Sequence, residues 1–272
     1  MVDLTTPPSP PPPPPTEQPL GRRKRLKGLH INRMIPNALT LLAICAGLSA
    51  IRYAFEDKWE YAAVAILVAA ILDGLDGRVA RILKGASKFG AELDSLSDFI
   101  SFGVAPAIML YLWAMQGANR FGWMLAMLFA VCMALRLARF NTALEDVNQP
   151  TWSRNFFTGV PAPAGAGLVL LPMILSFQVG DTFVREPVVV AIFLLVVAGL
   201  LVSAIPTFSF KKVKIEQHWV LPAMLLVGLL AAGLVSAPWL TLSTILGLYL
   251  VSIPFSVRAH REFRKRDANG QA

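Results

Sequence analysis

The sequence predicts an all-α fold, a polytopic transmembrane helix bundle. Three observations carry that prediction: the apolar composition, the length of the apolar runs, and a one-sided distribution of basic residues. Of 272 residues, 55% are hydrophobic and only 15% are charged, too few charges for the surface of a water-soluble domain. A helix that crosses a bilayer needs about 20 mostly apolar residues. Eight such stretches follow one another, at 36–55, 59–82, 93–113, 121–141, 162–178, 187–206, 219–236 and 238–257. With the cluster Arg22, Arg23, Lys24, Arg25 and Lys27 held in the cytoplasm, alternating loops put all but four of the 25 Lys and Arg on that side, the exceptions being Arg52, Lys58, Arg120 and Arg185. This is the positive-inside asymmetry, and an even span count returns the basic stretch Arg258 to Arg266 to the same face. Both termini are thus expected in the cytoplasm of an integral protein of the cell (inner) membrane.

Taken in order, residues 1–28 hold the run Pro10 to Pro15 and the basic cluster, which describes an extended or disordered cytoplasmic tail. The prolines precede the charge, the reverse of a signal peptide. Leu29 to Ile35 mixes His30, Asn32 and Arg33 with apolar residues and reads as a short interfacial helix before the first span. Pro172, Pro206, Pro222 and Pro254 fall within or at the ends of spans, where neighbouring helices re-satisfy the freed carbonyls and kinks are tolerated. The last two spans, within 216–257, carry no acidic or basic residue between Trp219 and Val257. They read as a lipid-facing or oligomer-facing addition, which leaves a homodimer open, and a basic tail follows at 258–272.

The net charge of +8 sits in short clusters between apolar segments, so the partner it implies is membrane lipid with anionic headgroups and not nucleic acid. Lys211, Lys212 and Lys214 belong to this class, and Arg78, Lys84 and Lys88 read first as snorkelling side chains. Cys45 and Cys132 are too few for a disulfide framework or a zinc site and read as packing residues. His30, His218 and His260 lie beside basic clusters or at segment ends, where interfacial side chains are the rule.

Against this background residues 73–98, DGLDGRVARILKGASKFGAELDSLSD, concentrate carboxylates at membrane depth, where each is costly. Asp73 and Asp76 are three apart and Asp94 and Asp98 four apart, so each pair occupies one face of its own helix. The short glycine-bearing connection around Gly85 to Gly90 lets the two helices return antiparallel and bring the pairs together. Four facing carboxylates repel unless cations neutralise them or some stay protonated. An all-oxygen set without Cys or His selects hard ions, Mg²⁺ or Mn²⁺, which commonly bridge carboxylates and substrate phosphates. Gly77 and Ala80 leave room for a ligand, and Arg81 can reach a diphosphate with its planar fork.

The residues Asp73, Asp76, Gly77, Ala80, Arg81, Gly90, Asp94 and Asp98 fit the pattern Asp-x-x-Asp-Gly-x-x-Ala-Arg, eight residues, Gly-x-x-x-Asp-x-x-x-Asp at every fixed position. In this the chain resembles the CDP-alcohol phosphatidyltransferases. The resemblance implies a six-helix core over about 29–215 with two additional C-terminal transmembrane helices outside it. It implies metal ligation by Asp73, Asp76 and Asp94, with Asp98 completing the site and acting as general base. It also implies contacts to the CDP group from Asp73, Gly77, Ala80, Arg81, Gly90 and Ser87, although a serine in such a loop also serves plain turn chemistry.

Three further segments, Ser101 to Pro106, Arg136-Leu-Ala-Arg-Phe-Asn141 and Phe157 to Pro163, resemble the phosphatidylserine synthase branch of that family, as does Ile205 to Phe210. The branch implies CDP-diacylglycerol as donor and L-serine as acceptor. Arg136 and Arg139 suit the serine carboxylate or the diphosphate; ordinary positive-inside charge explains them equally well. Asn141 fits the serine ammonium or a helix cap. Asn37 and Thr40, in the Pro36-Asn-Ala-Leu-Thr40 opening, fit acceptor or diphosphate binding, or helix-end backbone groups. The rivals are a sister transferase using glycerol 3-phosphate, choline or inositol phosphate, a cation transporter, and an idle scaffold. A phosphorylated acceptor wants a denser cationic pocket, a transporter spreads its carboxylates across the membrane, and a scaffold need not keep the whole motif.

Overall fold

The computed structural model describes residues 31–83, 85, 87–145, 156–203, 206–208 and 220–268. The proline-rich tail, the basic cluster at 22–27, His30, Lys84, His218 and the lysines at 211–214 lie outside them. The chain is a helical membrane protein. Helix α1 is Ile31–Phe55, α2 is Trp59–Ile82 and α3 is Lys88–Asp98. From Asp98 the helix continues without a break through a π-helical stretch, Phe99–Val104, then α4, Ala105–Leu110, and a second π-helical stretch, Tyr111–Met115. There follow α5, Asn119–Glu145; α6, Ala162–Val179; a single turn α7, Asp181–Val184; α8, Pro187–Val202; α9, Val220–Ser236; and α10, Pro238–Ala268.

Helices lie over all eight expected segments, and among the described residues three, Met34–Phe55, Lys88–Ala143 and Ala162–Val179, are long and apolar enough to cross a membrane, the other apolar helices being shorter; four details differ. The segment expected as a separate interfacial helix is the first turn of α1, which runs on through Pro36; proline costs one intrahelical bond there but sits early enough for the helix to absorb it. The basic stretch expected as a C-terminal tail is helical to Ala268. Cys45, read as a packing residue, faces outward, whereas Cys132 is buried. Finally, Phe156–Thr158 (β1) and Pro206–Phe208 (β2) pair antiparallel, Phe157 opposite Thr207. Non-helical backbone near a bilayer must find partners, and two connecting segments satisfy each other. Pro206, expected at a helix end, opens β2, where a missing N–H is tolerated.

The core lies where the continuous α3–α4 helix, with its π-helical stretches, meets α5, α6 and α8. Phe102, Met109, Leu110, Trp113, Phe129, Met133, Leu168, Met173 and Leu194 are buried there. Large apolar side chains elsewhere face outward, as lipid-facing helices require, and α9 is the extreme: Leu221, Met224, Leu225, Val227 and Leu229 are all about two-thirds exposed or more. The α1–α2 turn is held by Glu56, which accepts from Arg52 (3.0 Å) and Lys58 (2.8 Å). Lys58 and Arg52 keep that carboxyl below the usual carboxylate range.

Two close approaches fix α1 against α3 and its continuation. Ser97 Oγ donates to the Thr40 carbonyl (3.3 Å) and Ser101 Oγ to the Ala43 carbonyl (3.1 Å). Gly47 permits the second: a Cβ there would lie 2.6 Å from Ser101 Oγ and 2.9 Å from its Cα. Ser97 and Ser101 are themselves buried, so these bonds are made where water does not compete.

Candidate active site

The site lies where the C-terminal half of α2 meets α3. Helix α3 begins at a conventional cap: Ser87 is extended and its hydroxyl accepts from the Gly90 backbone N–H at 3.0 Å. Gly90 sits close against its neighbours: a Cβ would stand 3.0 Å from Asn37 Oδ1 and 3.2 Å from Ser87 Oγ, each of which would have to give by a few tenths of an ångström. Helix α1 thus closes on the α2–α3 connection and sets the angle at which α3 returns.

That return brings the two aspartate pairs together. One carboxylate oxygen each from Asp73, Asp76 and Asp94 lies within 4.8 Å of the others. Asp98 is outside this trio and instead meets the Asp73 carboxyl. Its Oδ1 is buried without a hydrogen-bond partner among the described residues, a costly state for a carboxyl oxygen. Asp76 is fixed from α1: Thr40 Oγ1 donates to its Oδ2 at 2.6 Å. Thr40 therefore joins both halves of the site, its hydroxyl meeting Asp76 of α2 and its carbonyl accepting from Ser97 of α3.

The donor set fits a hard divalent ion. Oxygens around Mg²⁺ or Mn²⁺ stand about 2.1 Å from the metal, hence roughly 3 to 4 Å from one another, close to the 4.8 Å within which the trio already lies. The unpartnered Asp98 oxygen adds a fourth carboxylate on the buried side.

A groove of about 410 Å³ opens from the trio, lined by Pro36, Asn37, Thr40, Asp76, Gly77, Ala80, Arg81, Gly85, Ser87, Gly90, Ala91 and Asp94. This volume lies in the range of small-molecule sites. At Gly77 nothing but the Arg81 guanidinium, at 4.0 Å, comes near the place a Cβ would take, so the groove runs directly along backbone. Every residue expected at the CDP group except Asp73 lines this groove. Asn37 and Thr40 line it too.

Asp73, Asp98 and Arg136 form the inner side. Arg136 Nε donates to the Val160 carbonyl at 2.6 Å, its guanidinium carbon stands 6.0 Å from the Phe140 ring centre, and Asp98 and Asp73 are its carboxylate neighbours. Two of the other four acceptor candidates are engaged elsewhere: Arg139 Nη2 donates to the Val202 carbonyl, and Asn141 Nδ2 donates to Ser95 Oγ at 2.8 Å. Asn141 thus ties α5 to α3 and does not cap its own helix. Sequence reasoning passed over Ser95, Ser97 and the Val160 carbonyl. The two serines flank the motif aspartates, and their small hydroxyl side chains beside costly charges were the available signal.

Fold and site together define a polytopic membrane protein with a cluster of carboxylates that could hold a metal ion at one end of a groove of about 410 Å³. The chain belongs to the CDP-alcohol phosphatidyltransferase family, whose model matches residues 33–197. A second model, CDP-alcohol phosphatidyltransferase 2, matches residues 218–254, the last helix pair. Similar proteins include a CDP-diacylglycerol–serine O-phosphatidyltransferase of Mycobacterium leprae, 42% identical over 88% of this chain and 79% of the relative. A protein of the same name from Helicobacter pylori is 37% identical over 80% and 88%, and one from Bacillus subtilis 34% over 65% and 92%.

Proposed function

We propose that the chain transfers the phosphatidyl group of CDP-diacylglycerol to the hydroxyl of L-serine, releasing CMP and forming phosphatidylserine. The observation that carries this reading is the two-sided site: a groove along Gly77 and Arg81 on one side of the carboxylate trio and a half-buried arginine, Arg136, beside Asp98 on the other. Relatives bearing the serine transferase name over most of both chains support the same acceptor.

In this reading the groove takes the CDP group against the bare backbone of Gly77, and the Arg81 fork binds a diphosphate oxygen pair. Asp73, Asp76 and Asp94, with Asp98 beside them, would hold the divalent ion, Mg²⁺ or Mn²⁺. Bound there, the ion would supply Lewis acidity to the diphosphate and neutralise charge on the leaving group. Arg136 pairs with the serine carboxylate and orients the hydroxyl toward phosphorus. Asp98 accepts the hydroxyl proton as the serine oxygen–phosphorus bond forms. The bond from that phosphorus to the CMP oxygen breaks, and CMP leaves with the electron pair, its charge met by Arg81. Thr40 acts on none of the reacting atoms; it holds Asp76 in place. The positive-inside distribution of Lys and Arg supports a cytoplasmic side for this site and both termini, where CDP-lipid headgroup and serine are reached. Residues 29–215 form the catalytic core and 216–257 the added helix pair.

Purified protein supplied with CDP-diacylglycerol, Mn²⁺ or Mg²⁺ and single alcohols tests the acceptor. CMP release is expected with L-serine and not with glycerol 3-phosphate or choline. Release with glycerol 3-phosphate and none with serine overturns the acceptor while leaving the family chemistry intact.

A further inference from the structure

The peptide Asp94-Ser-Leu-Ser-Asp98 alternates the two α3 aspartates with two serines. Residues two apart on a helix project about 200° from one another, so Ser95 and Ser97 leave α3 on opposite sides. Each side is gripped. Ser97 Oγ donates to the Thr40 carbonyl of α1 at 3.3 Å, and Ser95 Oγ accepts from Asn141 Nδ2 of α5 at 2.8 Å. The Ser95 hydroxyl proton is spent on the Ala91 carbonyl one turn back, at 3.1 Å, which leaves the oxygen as an acceptor and suits an amide N–H as its partner. The far end of this contact is itself anchored. Phe129, Met133 and Leu137 bury α5 in the core, and Asn141 follows Leu137 by four residues, on the same face. Arg136 and Arg139 donate to the Val160 and Val202 carbonyls, which ties the end of α5 to the entry of α6 and the exit of α8.

We infer that Asn141 is a positioning residue for the α3 aspartates: through Ser95 it holds Asp94 and Asp98 at the carboxylate cluster from the side opposite Thr40, and it does not itself bind the acceptor. Between its cap at Ser87 and the π-helical turns after Asp98, α3 has 11 residues, and so short a segment is placed by its neighbours more than by its own backbone bonds. Ser95 adjoins Asp94, the one α3 member of the trio, and precedes Asp98 by three residues, so a tether on this hydroxyl sets where both carboxyls stand. The inference rests on the proposed reading of the aspartates as ligands of a divalent ion.

The test uses the full-length protein purified in detergent, with Asn141→Ala, Ser95→Ala, the double variant and Ser95→Thr. Two quantities are read: Mn²⁺ affinity without substrate, from the loss of the free-ion electron paramagnetic resonance signal, and KM for serine at saturating Mn²⁺. A neutral hydrogen bond is worth about a fivefold change in an equilibrium, so each alanine variant is expected to weaken Mn²⁺ binding about fivefold with serine KM unchanged. The double variant should be no worse than either single one, since both remove the same bond, and Ser95→Thr, which keeps the hydroxyl, should bind Mn²⁺ as the unaltered protein does. A serine KM that rises in Asn141→Ala while Ser95→Ala is silent makes Asn141 a ligand of the acceptor and overturns the inference, as do additive losses or an Mn²⁺ affinity unchanged in both. If Asn141→Ala fails to fold, Ser95→Ala against Ser95→Thr decides: weaker Mn²⁺ binding in the first alone supports the inference, and equal binding in the two overturns it. An unaltered protein that binds no Mn²⁺ strikes the reading of the aspartates and this inference with it, whereas one that binds Mn²⁺ but ignores serine strikes the choice of acceptor alone.

Discussion

Thr40 carries the heaviest structural duty of any residue outside the aspartate motif. Its hydroxyl meets Asp76 and its backbone carbonyl meets Ser97, so one residue on α1 holds a carboxylate of α2 and a serine of α3 between the two α3 aspartates. Thr40→Val keeps the shape and removes the bond. A hydrogen bond to a charged group is worth about 1.5–3 kcal/mol, so the Mn²⁺ concentration giving half-maximal CMP release should rise about tenfold or more, with Thr40→Ser restoring it. Ser87 makes a contrasting case. It caps α3 through Gly90 and also lines the groove. Ser87→Ala should cost about 1 kcal/mol of stability as a lost cap, read by chemical denaturation; if the hydroxyl also holds the CDP group, KM for CDP-diacylglycerol rises as well. The motif aspartates were legible in the sequence because spacing alone puts each pair on a helix face. The duties of Thr40 and Ser97 were not, because they exist only where α1 crosses α2 and α3.

At the scale of elements, the register of α1 against α3 decides whether the two aspartate pairs meet. Ser101 and Gly47 set that register. Gly47→Val forces a side chain into backbone that cannot retreat, and overpacking of this kind costs about 1–3 kcal/mol. Because the displaced helix bears Asp94 and Asp98, serine-dependent CMP release should fall further than stability does. Gly199→Ala, where nothing lies within 4 Å of an added Cβ, should leave both intact or raise stability slightly. The helix spans were readable from apolar run length to within a few residues. The π-helical turns after Asp98 were not, since hydrophobic periodicity does not register one extra residue per turn. Nor was the β1–β2 pairing, which joins segments far apart in the chain and only three residues long.

The whole molecule pairs a helical scaffold with a cluster of carboxylates that could hold a cation. Removing divalent ions with a chelator should abolish activity reversibly. Re-adding Mn²⁺ at about 100 times its dissociation constant should restore activity and add up to about 2.7 kcal/mol of stability, because the ion binds only the assembled trio; thermal unfolding with and without ion measures it. Composition and basic asymmetry were enough to read the membrane character of the chain. The place of the last two helices was not, because their sequence between Trp219 and Val257 lacks any charge and only the packing of α10 on α6 reveals which face turns inward. The central claim is that the aspartate centre moves a phosphatidyl group onto serine with Asp98 as base. Serine-dependent CMP release by the purified protein, measured beside Asp73→Asn and Asp98→Asn, tests it most directly. Robust release by the unaltered protein and its loss in both variants is the expected result. Absence of release with any alcohol, or an Asp98→Asn protein that keeps most of its rate while Asp73→Asn loses it, would contradict the claim.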